Sequence, residues 1–382
     1  MRLVHTADVH LDACFAGSGM PPGFGNRRRQ SLRDVFRAII ERAGHWPADA
    51  LLIAGDLYEQ ARVTRDTIAF LQGEFESIGH VPVFIAPGNH DPYTTDAPYA
   101  TEAWPENVHI FREPAWREFR MDAGGLVVHG FAFDGPDISS SPFGALDVPE
   151  DGETHVAVGH GSERRHLPEG QKLYNPFDAE DAAVEGLAYL ALGHFHDVIR
   201  IEGDFETAVY YSGAPEGHSF GHTGMRHYLE VEIEAGKVSV RPAPSSRVVY
   251  TAHAVDCTGF TTAQQAVDAI RNLPNDFGLP QIARVTLTGQ CLPSFRGASS
   301  AIWDAVSDRF TYLDLRNETL PEEDYDALAR EKTSLGLFVA KLNQELRDTT
   351  DESRRRLLER ARDVGLAAYR GRELDIHGLE RS

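Results

Sequence analysis

Cysteine is scarce in this chain: three residues, Cys14, Cys257 and Cys291, are spread over 382 positions. They form no C-x-x-C pair, which argues against a disulfide framework or a thiolate zinc site and fits a reducing, cytoplasmic setting. Each is expected to act as a small buried hydrophobe. Basic charge is also in short supply. Lys plus Arg number 37 against 58 Asp plus Glu, a formal net charge of −21. That balance opposes binding to a phosphate backbone, which favours basic partners. The objection weakens where bound cations make one surface locally positive. No apolar run approaches the ~18–20 residues needed to span a bilayer, so no membrane partner is expected. Asp8 and His10 interrupt the first apolar stretch before the hydrophobic region of a signal peptide could form.

What is present is a 42% hydrophobic content arranged in a regular alternation. Residues 2–7 read as a strand running into Asp8-Val9-His10. A helix pattern follows from about Arg28 to Ala43, with Leu32, Val35, Phe36, Ile39 and Ile40 on one face. Residues 50–54 form a second strand, which runs into Gly55-Asp56. Residues 64–77 are amphipathic again, and 81–87 run into Gly88-Asn89-His90-Asp91. Strand, helix, strand, helix, strand predicts a parallel α/β arrangement with right-handed crossovers.

From about residue 108 strands dominate. Residues 155–158 run into Gly159-His160, and 187–192 run into Gly193-His194-Phe195-His196. Residues 209–211 run into Ser212-Gly213, and 227–234 with 237–241 flank Ala235-Gly236 as a hairpin. The fold class expected is α/β, a β-sandwich flanked by helices. Pro242-Ala243-Pro244-Ser245-Ser246 reads as a linker. A small α/β cap is expected over 247–320, after a core of 1–244. A helical tail over 321–382 completes the chain. Leu335, Val339, Leu342 and Leu346 form one apolar stripe in that tail, and Leu357, Ala361, Val364 and Ala368 another.

Five expected strands thus end in candidate metal ligands: Asp8 with His10, Asp56, Asn89, His160, and His194 with His196. All offer oxygen or nitrogen and none a thiolate, which suits borderline divalent ions such as manganese, iron or zinc. Seven donors are too many for one tetrahedral site. They fit two ions that share a bridging carboxylate, the usual device for displacement at phosphorus when the ions lie about 3.5–4 Å apart. Any one of these motifs alone reads more simply as a turn or helix cap. Their repetition after successive apolar strands is what points to a shared site.

These motifs resemble those of the calcineurin-like metallophosphoesterases. Within that superfamily the chain is similar to the SbcD-type DNA repair exonucleases, including their YhaO-like branch. The resemblance rests on Leu3-Val4-His5-Thr6-Ala7-Asp8-Val9-His10-Leu11, on Ile53-Ala54-Gly55-Asp56-Leu57-Tyr58, and on Ser212-Gly213-Ala214-Pro215-Glu216 with Ser219-Phe220-Gly221. It spans about residues 1–235. It implies one metal on Asp8, His10, Asp56 and His196 and another on Asp56, Asn89, His160 and His194, with Asp56 bridging. Manganese is the metal expected, with iron or zinc as alternatives. His90 is implied as the phosphate-facing histidine that protonates the leaving oxygen, and Asp91 as the residue that orients it. One departure stands out: Glu59 occupies a position where many nuclease members carry histidine.

The function implied is a metal-dependent DNA exonuclease that hydrolyses phosphodiesters with water activated by the two ions. The tail is implied to dock on a coiled-coil ATPase of the SMC or ABC type, and a homodimer is compatible with the sequence. Arg27 and Arg28, beside the loop after His10, and Arg164 and Arg165, shortly after His160, are candidate DNA contacts. The plainer reading of each is a solvated surface arginine. His218, His222 and His227 are expected in hydrogen-bonding or surface roles. Two rival functions remain: a phosphoesterase for small molecules or phosphoproteins, which the net charge favours, and a non-catalytic scaffold.

Overall fold

Strand β1 (Arg2–Thr6) is buried on both faces, and the reason is visible in its neighbours. Val4 packs with Leu32, Val35, Phe36 and Ile39 of helix α1 (Phe24–His45) and with Leu71 and Phe75 of helix α2 (Arg65–Ser77). Leu3 points the other way, into a second apolar layer with Val128, Val156, Val158 and Tyr189. Strands β2 (Ala50–Ile53) and β3 (Val83–Ile85) repeat the division: Leu51, Ile53, Val83 and Ile85 face the helices, and Leu52 and Phe84 face the second layer. Side chains alternate along a strand, so a strand covered on both sides must be apolar throughout.

The structure is a computed structural model, and it describes residues 1–15, 20–121, 125–138, 141–166, 172–291, 295, 297–321 and 323–371. The remaining strands of the first part are β4 (Val108–Ile110), β5 (Arg117–Arg120), β6 (Leu126–Gly130), β7 (Thr154–His160), β8 (Leu187–Gly193), β9 (Ile199–Ile201), β10 (Ala208–Tyr211), β11 (His227–Glu234) and β12 (Lys237–Pro244). They form two six-stranded sheets, in the orders β12-β11-β1-β2-β3-β4 and β5-β6-β7-β8-β10-β9. β1, β2, β3 and β4 run parallel to one another, as do β6, β7, β8 and β10. The carboxyl ends of consecutive strands therefore lie side by side within each sheet.

A polar pin crosses the apolar layer between the sheets. The Tyr189 hydroxyl lies 2.8 Å from Nδ1 of His5, and Nε2 of His5 lies 3.2 Å from the Leu192 carbonyl oxygen. Burial pushes the His5 pKa down to about 3, so the ring stays neutral, accepting from Tyr189 and donating to Leu192.

Several boundaries differ from expectation. Helix α1 begins four residues early, because Gly23 (φ 74°) turns the chain into it and Phe24 is buried in its first turn. The expected linker is partly a strand: Pro242 pairs with Leu229, Ala243 with Tyr228 and Pro244 with His227. Proline is tolerated there because β12 is an edge strand.

The chain divides into two compact units. The first comprises residues 1–252, 275–283 and 310–312, and the second 253–274, 284–309 and 313–382. Helix Ala263–Arg271 carries a capping box of Thr262 with Gln265 and buries Ala266, Val267 and Ile270. Helices Ser334–Asp348 and Glu352–Tyr369 follow, and Leu328, Val339 and Leu366 form a small core. Of the two expected stripes, the first turns inward at Val339 and Leu346. The second does not: Leu358 and Leu366 are buried, while Leu357 is 59% exposed. The last part of the expected tail, 372–382, lies outside the described residues. Cys257 and Cys291 are buried as expected, but Cys14 is exposed. Among the described residues no helix is long and apolar enough to cross a membrane.

Candidate metal centre

The turns that follow β1, β2 and β8 hold their polar residues in an unusual backbone conformation. Asp8 (φ 53°), His10 (φ 49°), Asp56 (φ 53°) and His194 (φ 120°) all have positive φ without being glycine. Such residues cost of order 1–3 kcal/mol each and persist only where the surroundings hold them. Here the first two turns hold each other. The Asp8 amide donates to the Gly55 carbonyl (3.0 Å), His10 to Asp56 (2.9 Å) and Leu11 to Leu57 (2.9 Å). Glycine is required at two close approaches: a Cβ on Gly88 would collide with Oδ1 of Asp56, and one on Gly193 with the Ala54 carbonyl.

These turns bring donor atoms from both sheets together. Oδ1 of Asp8 lies 3.7 Å from Nε2 of His196 and 4.0 Å from Nε2 of His10. Nε2 of His10 is 3.8 Å from Oδ2 of Asp56, which is 3.4 Å from Nε2 of His160. Asn89 Oδ1 stands 3.1 Å from that same His160 nitrogen. Among the described residues, three groupings have ligand atoms within 4.8 Å of one another: Asp8, His10 and His196; Asp8, Asp56 and His160; and His10, Asp56 and His90. His194 lies outside all three. Its ring faces that of His160 at 5.4 Å, and its amide donates to Oδ2 of Asp8 (3.0 Å).

The donor set fits divalent cations on three observations. Oδ1 of Asp8 and Nε2 of His10 are buried and have no hydrogen-bond partner among the described residues. A buried polar atom left unpaired costs about 1–3 kcal/mol, a cost that coordination removes. His160 turns Nδ1 to the Ala54 carbonyl (2.8 Å), and His10 turns Nδ1 to Glu59 (2.8 Å). Each ring so held points Nε2 inward, the usual arrangement for a ligating histidine. Finally, two buried carboxylates share this small space. Burial, with the Asp56 charge beside it, pushes the Asp8 pKa up to about 6 against the pull of His160 and His10. For Asp56, burial is outweighed by His160 and His10, and its pKa falls. Burial would lower the His160 pKa, but Asp56 raises it to about 9. His194 goes the other way, down to about 3, through burial and then the charge of His160.

The histidine implied to face the phosphate is well placed for contact from outside. His90 is half-exposed, and its amide donates to Oδ1 of Asp56 (2.9 Å). Its ring stands edge-on to that of His10, with centroids 4.8 Å apart. The residue that holds the ring is not the one expected. Asp91 does not orient His90. It is fully buried, and its two oxygens accept from the amides of Gly88 (2.7 Å), Asp56 (2.9 Å) and Leu57 (2.8 Å) and from the Tyr99 hydroxyl (2.7 Å). Those bonds commit its side chain to the 55–57 turn rather than to the ring. Glu59 takes the role instead, accepting from Nδ1 of His90 at 3.1 Å. That bond is the main cause that raises the His90 pKa to about 9. Burial would raise the Glu59 pKa, but its bonds to His10 and His90 lower it to about 2.

One of the arginines requires a further correction. Arg28 is buried and cannot reach a phosphate backbone: Nη1 donates to Oε1 of Glu216 (2.7 Å), and Nη2 to the Gly217 carbonyl (2.7 Å). The first turn of α1 is covered by the loop after β10, so this guanidinium faces inward. Arg164 lies 3.4 Å from Asp178, and Arg165 pairs with Glu163 at 2.9 Å. Arg27 is exposed, without an ion pair among the described residues.

Two residues expected in hydrogen-bonding or surface roles lie beside the site. The ring of His218 stands edge-on to that of His10 (centroids 5.2 Å apart), and His222 lies 4.5 Å from His196. Nε2 of His218 and Nδ1 of His222 are buried and unpartnered among the described residues. The sequence signal was their place in Gly-His-Ser-Phe-Gly-His soon after β10; the buried Arg28–Glu216 pair holds that loop against the centre.

The chain is 28% identical over 298 residues to the uncharacterized metallophosphoesterase YhaO of Bacillus subtilis, covering 76% of this chain and 72% of that protein. It is 24% identical over 371 residues to the DNA double-strand break repair protein Mre11 of Haloferax volcanii (90% and 76% covered). It is 22% identical over 281 residues to a component of the nuclease SbcCD of Staphylococcus saprophyticus (64% and 69% covered). A solved dimetal phosphatase from Danio rerio aligns at 9% identity and TM-score 0.41, over 64% of this chain and 96% of that one. Residues 1–198, which carry all seven expected ligands, match the calcineurin-like phosphoesterase family, and the chain belongs to it.

Proposed function

We propose that the protein is a DNA nuclease of the exonuclease type that hydrolyses phosphodiesters at this centre. One observation carries the reading: buried donor atoms from two sheets converge, with Oδ1 of Asp8 and Nε2 of His10 unpartnered among the described residues, directly beside a half-exposed histidine held by a carboxylate. Asp8, His10, His196 and Asp56 would hold one divalent cation, and Asp56, Asn89, His160 and His194 the other. The oxygen and nitrogen donors favour manganese, with iron or zinc able to take the same ligands. Two such cations held by these residues would supply Lewis acidity, making water more acidic and offsetting charge on the phosphate.

The chain's own residues do the rest. His160 and His10 are fixed through Nδ1 by Ala54 and Glu59, so they can offer Nε2 without reorganising. Asp91 locks the turn that carries Asp56 to the turn that carries Asn89 and His90. His90 gives the proton on Nε2 to the leaving oxygen as the P–O bond breaks, and keeps Nδ1–H on Glu59. The relatives named as a repair protein and as part of a nuclease support DNA as substrate. A coiled-coil ATPase partner would dock on the helix Glu352–Tyr369, whose Leu357, Ala361 and Ala368 face outward.

A second reading is favoured by the charge of −21 and by the carboxylate partners of Arg28, Arg164 and Arg165. On that reading the substrate is a small-molecule or protein phosphoester. Purified protein with manganese, given end-labelled duplex DNA, single-stranded DNA, a cyclic nucleotide and a phosphomonoester, separates the two. Cleavage of DNA with salt-sensitive binding is expected. Turnover of the phosphomonoester alone would overturn the nuclease reading. His90→Asn should keep its manganese and lose about 100-fold or more in turnover.

A further inference from the structure

Glu59 sits three residues beyond Asp56, in a position where its two oxygens serve two different rings. Oε1 accepts from Nδ1 of His10 at 2.8 Å, and Oε2 accepts from Nδ1 of His90 at 3.1 Å. The backbone fixes it between the two turns involved. The Glu59 amide donates to the Leu11 carbonyl (2.9 Å), and the next amide, of Gln60, donates to the His90 carbonyl (3.0 Å). A parallel bridge between Leu11 and Tyr58 adjoins it. Neither neighbouring carboxylate can take over. Asp91 is engaged by three amides and the Tyr99 hydroxyl, and Asp56 meets His10 only on the Nε2 side.

We propose that Glu59 is the positioning residue shared by the metal ligand His10 and the leaving-group histidine His90, setting the two rings as one unit. One carboxylate holds both Nδ1–H groups, so both Nε2 atoms are turned to the same space. The proposal rests on the reading of His90 as the proton donor, but its geometric half stands without it. It also has a consequence at the level of single protons. A carboxylate accepts from both rings, whereas an amide accepts with its oxygen and donates with its nitrogen. Glutamine at 59 can therefore keep Nδ1–H on one ring only. The other ring must present a bare Nδ1 and carry its proton on Nε2. On His10 that proton blocks the metal-facing atom. On His90 it leaves a neutral ring, a weaker acid than the imidazolium.

Glu59→Gln is the test, because the change keeps size and shape. Two measurements are made on the full chain. The first is the imidazole nitrogen–proton correlation spectrum of metal-free protein, with the signals of His10 and His90 assigned by substitution. Wild type is expected to carry a proton on Nδ1 of both rings, and the variant on only one. Protons on both Nδ1 atoms in the variant would overturn the shared clamp, whatever the enzyme's substrate.

The second measurement compares two phosphodiesters at saturating manganese. One has a 4-nitrophenol leaving group, which departs without a proton, and the other has the 3′-oxygen of thymidine, which needs one. The variant is expected to lose about 100-fold on the thymidine ester and less than about tenfold on the nitrophenyl ester. Equal losses on both would mean that Glu59 supports the fold only, and would sink its role toward His90. Manganese affinity should also fall by about 10- to 100-fold through His10. If wild type cleaves neither ester, the nuclease reading fails, while the spectrum still decides the clamp.

Discussion

The turn braced by Asp91 and the rim held by Glu59 make an instructive pair. Both carboxylates adjoin the Asp56 turn, and both meet more than one donor. Asp91 is adjacent to His90 in sequence, yet it spends all its bonds on backbone amides and Tyr99. Glu59 is 31 residues from His90, yet it holds that ring and His10 as well. The difference lies in burial. A fully buried carboxylate must collect enough donors to offset its desolvation, and the nearest ones are amides of the turn. A carboxylate at 24% side-chain exposure keeps some hydration, and can commit its oxygens to side chains at the rim of the centre.

That contrast can be broken in four places. The largest effect is expected from Asp91→Ala. It strands three buried amides and the Tyr99 hydroxyl. At about 1–3 kcal/mol for each group left unpaired, the loss is a large part of a typical folding stability. Chemical denaturation of the metal-free protein should show it. Glu59→Gln should denature close to wild type; equal losses in the two variants would erase the distinction between brace and clamp.

Next comes Arg28→Ala, which leaves Glu216 charged and buried. A cost of about 3–5 kcal/mol is expected for breaking such a pair. If denaturation midpoints barely moved, Arg28 would not be a structural residue.

The third expected effect concerns metal. Asn89→Ala should lower manganese from about two ions per chain to about one, read by elemental analysis, with the turn at Asp91 intact. Retention of both ions would remove Asn89 from the ligand set.

The smallest effect is a slope. His5 has a folded pKa lowered to about 3 by burial against an ordinary value of 6.5. Its neutral form contributes stability that is full above pH 6.5 and is lost as pH falls toward 3, because the unfolded chain binds the proton first. His5→Gln should flatten the acid limb of the stability profile by about 1 kcal/mol per pH unit in that window. An unchanged slope would show that the pin to Tyr189 and Leu192 does not govern acid stability.

The strand ends were legible because alternation and apolar runs mark parallel strands, and Gly-Asp, Gly-Asn-His-Asp and Gly-His-x-His follow them directly. Helix α2 was legible for the same local reason: Thr64 caps it and Ile68, Leu71 and Phe75 line one face. The face of the helix Glu352–Tyr369 was misread by a single residue, since Leu357 and Leu358 are equally apolar and only packing tells which is inside. Pro242 and Pro244 read as a linker because proline usually ends a strand; at a sheet edge it need not. Arg28 read as a surface cation because its partner, Glu216, lies 188 residues away.

Sequence alone determined the candidate donor residues and the phosphoesterase family. Parallel strands in one sheet must end on one side, so polar residues placed after each of them converge whatever the loops do. Tertiary structure decided which carboxylate holds which ring, which arginine is inside, and that His194 stands beside His160, outside the close groupings. Those choices depend on contacts between turns far apart in the chain, where burial and the supply of donors select the partner, and no local pattern of residues records either.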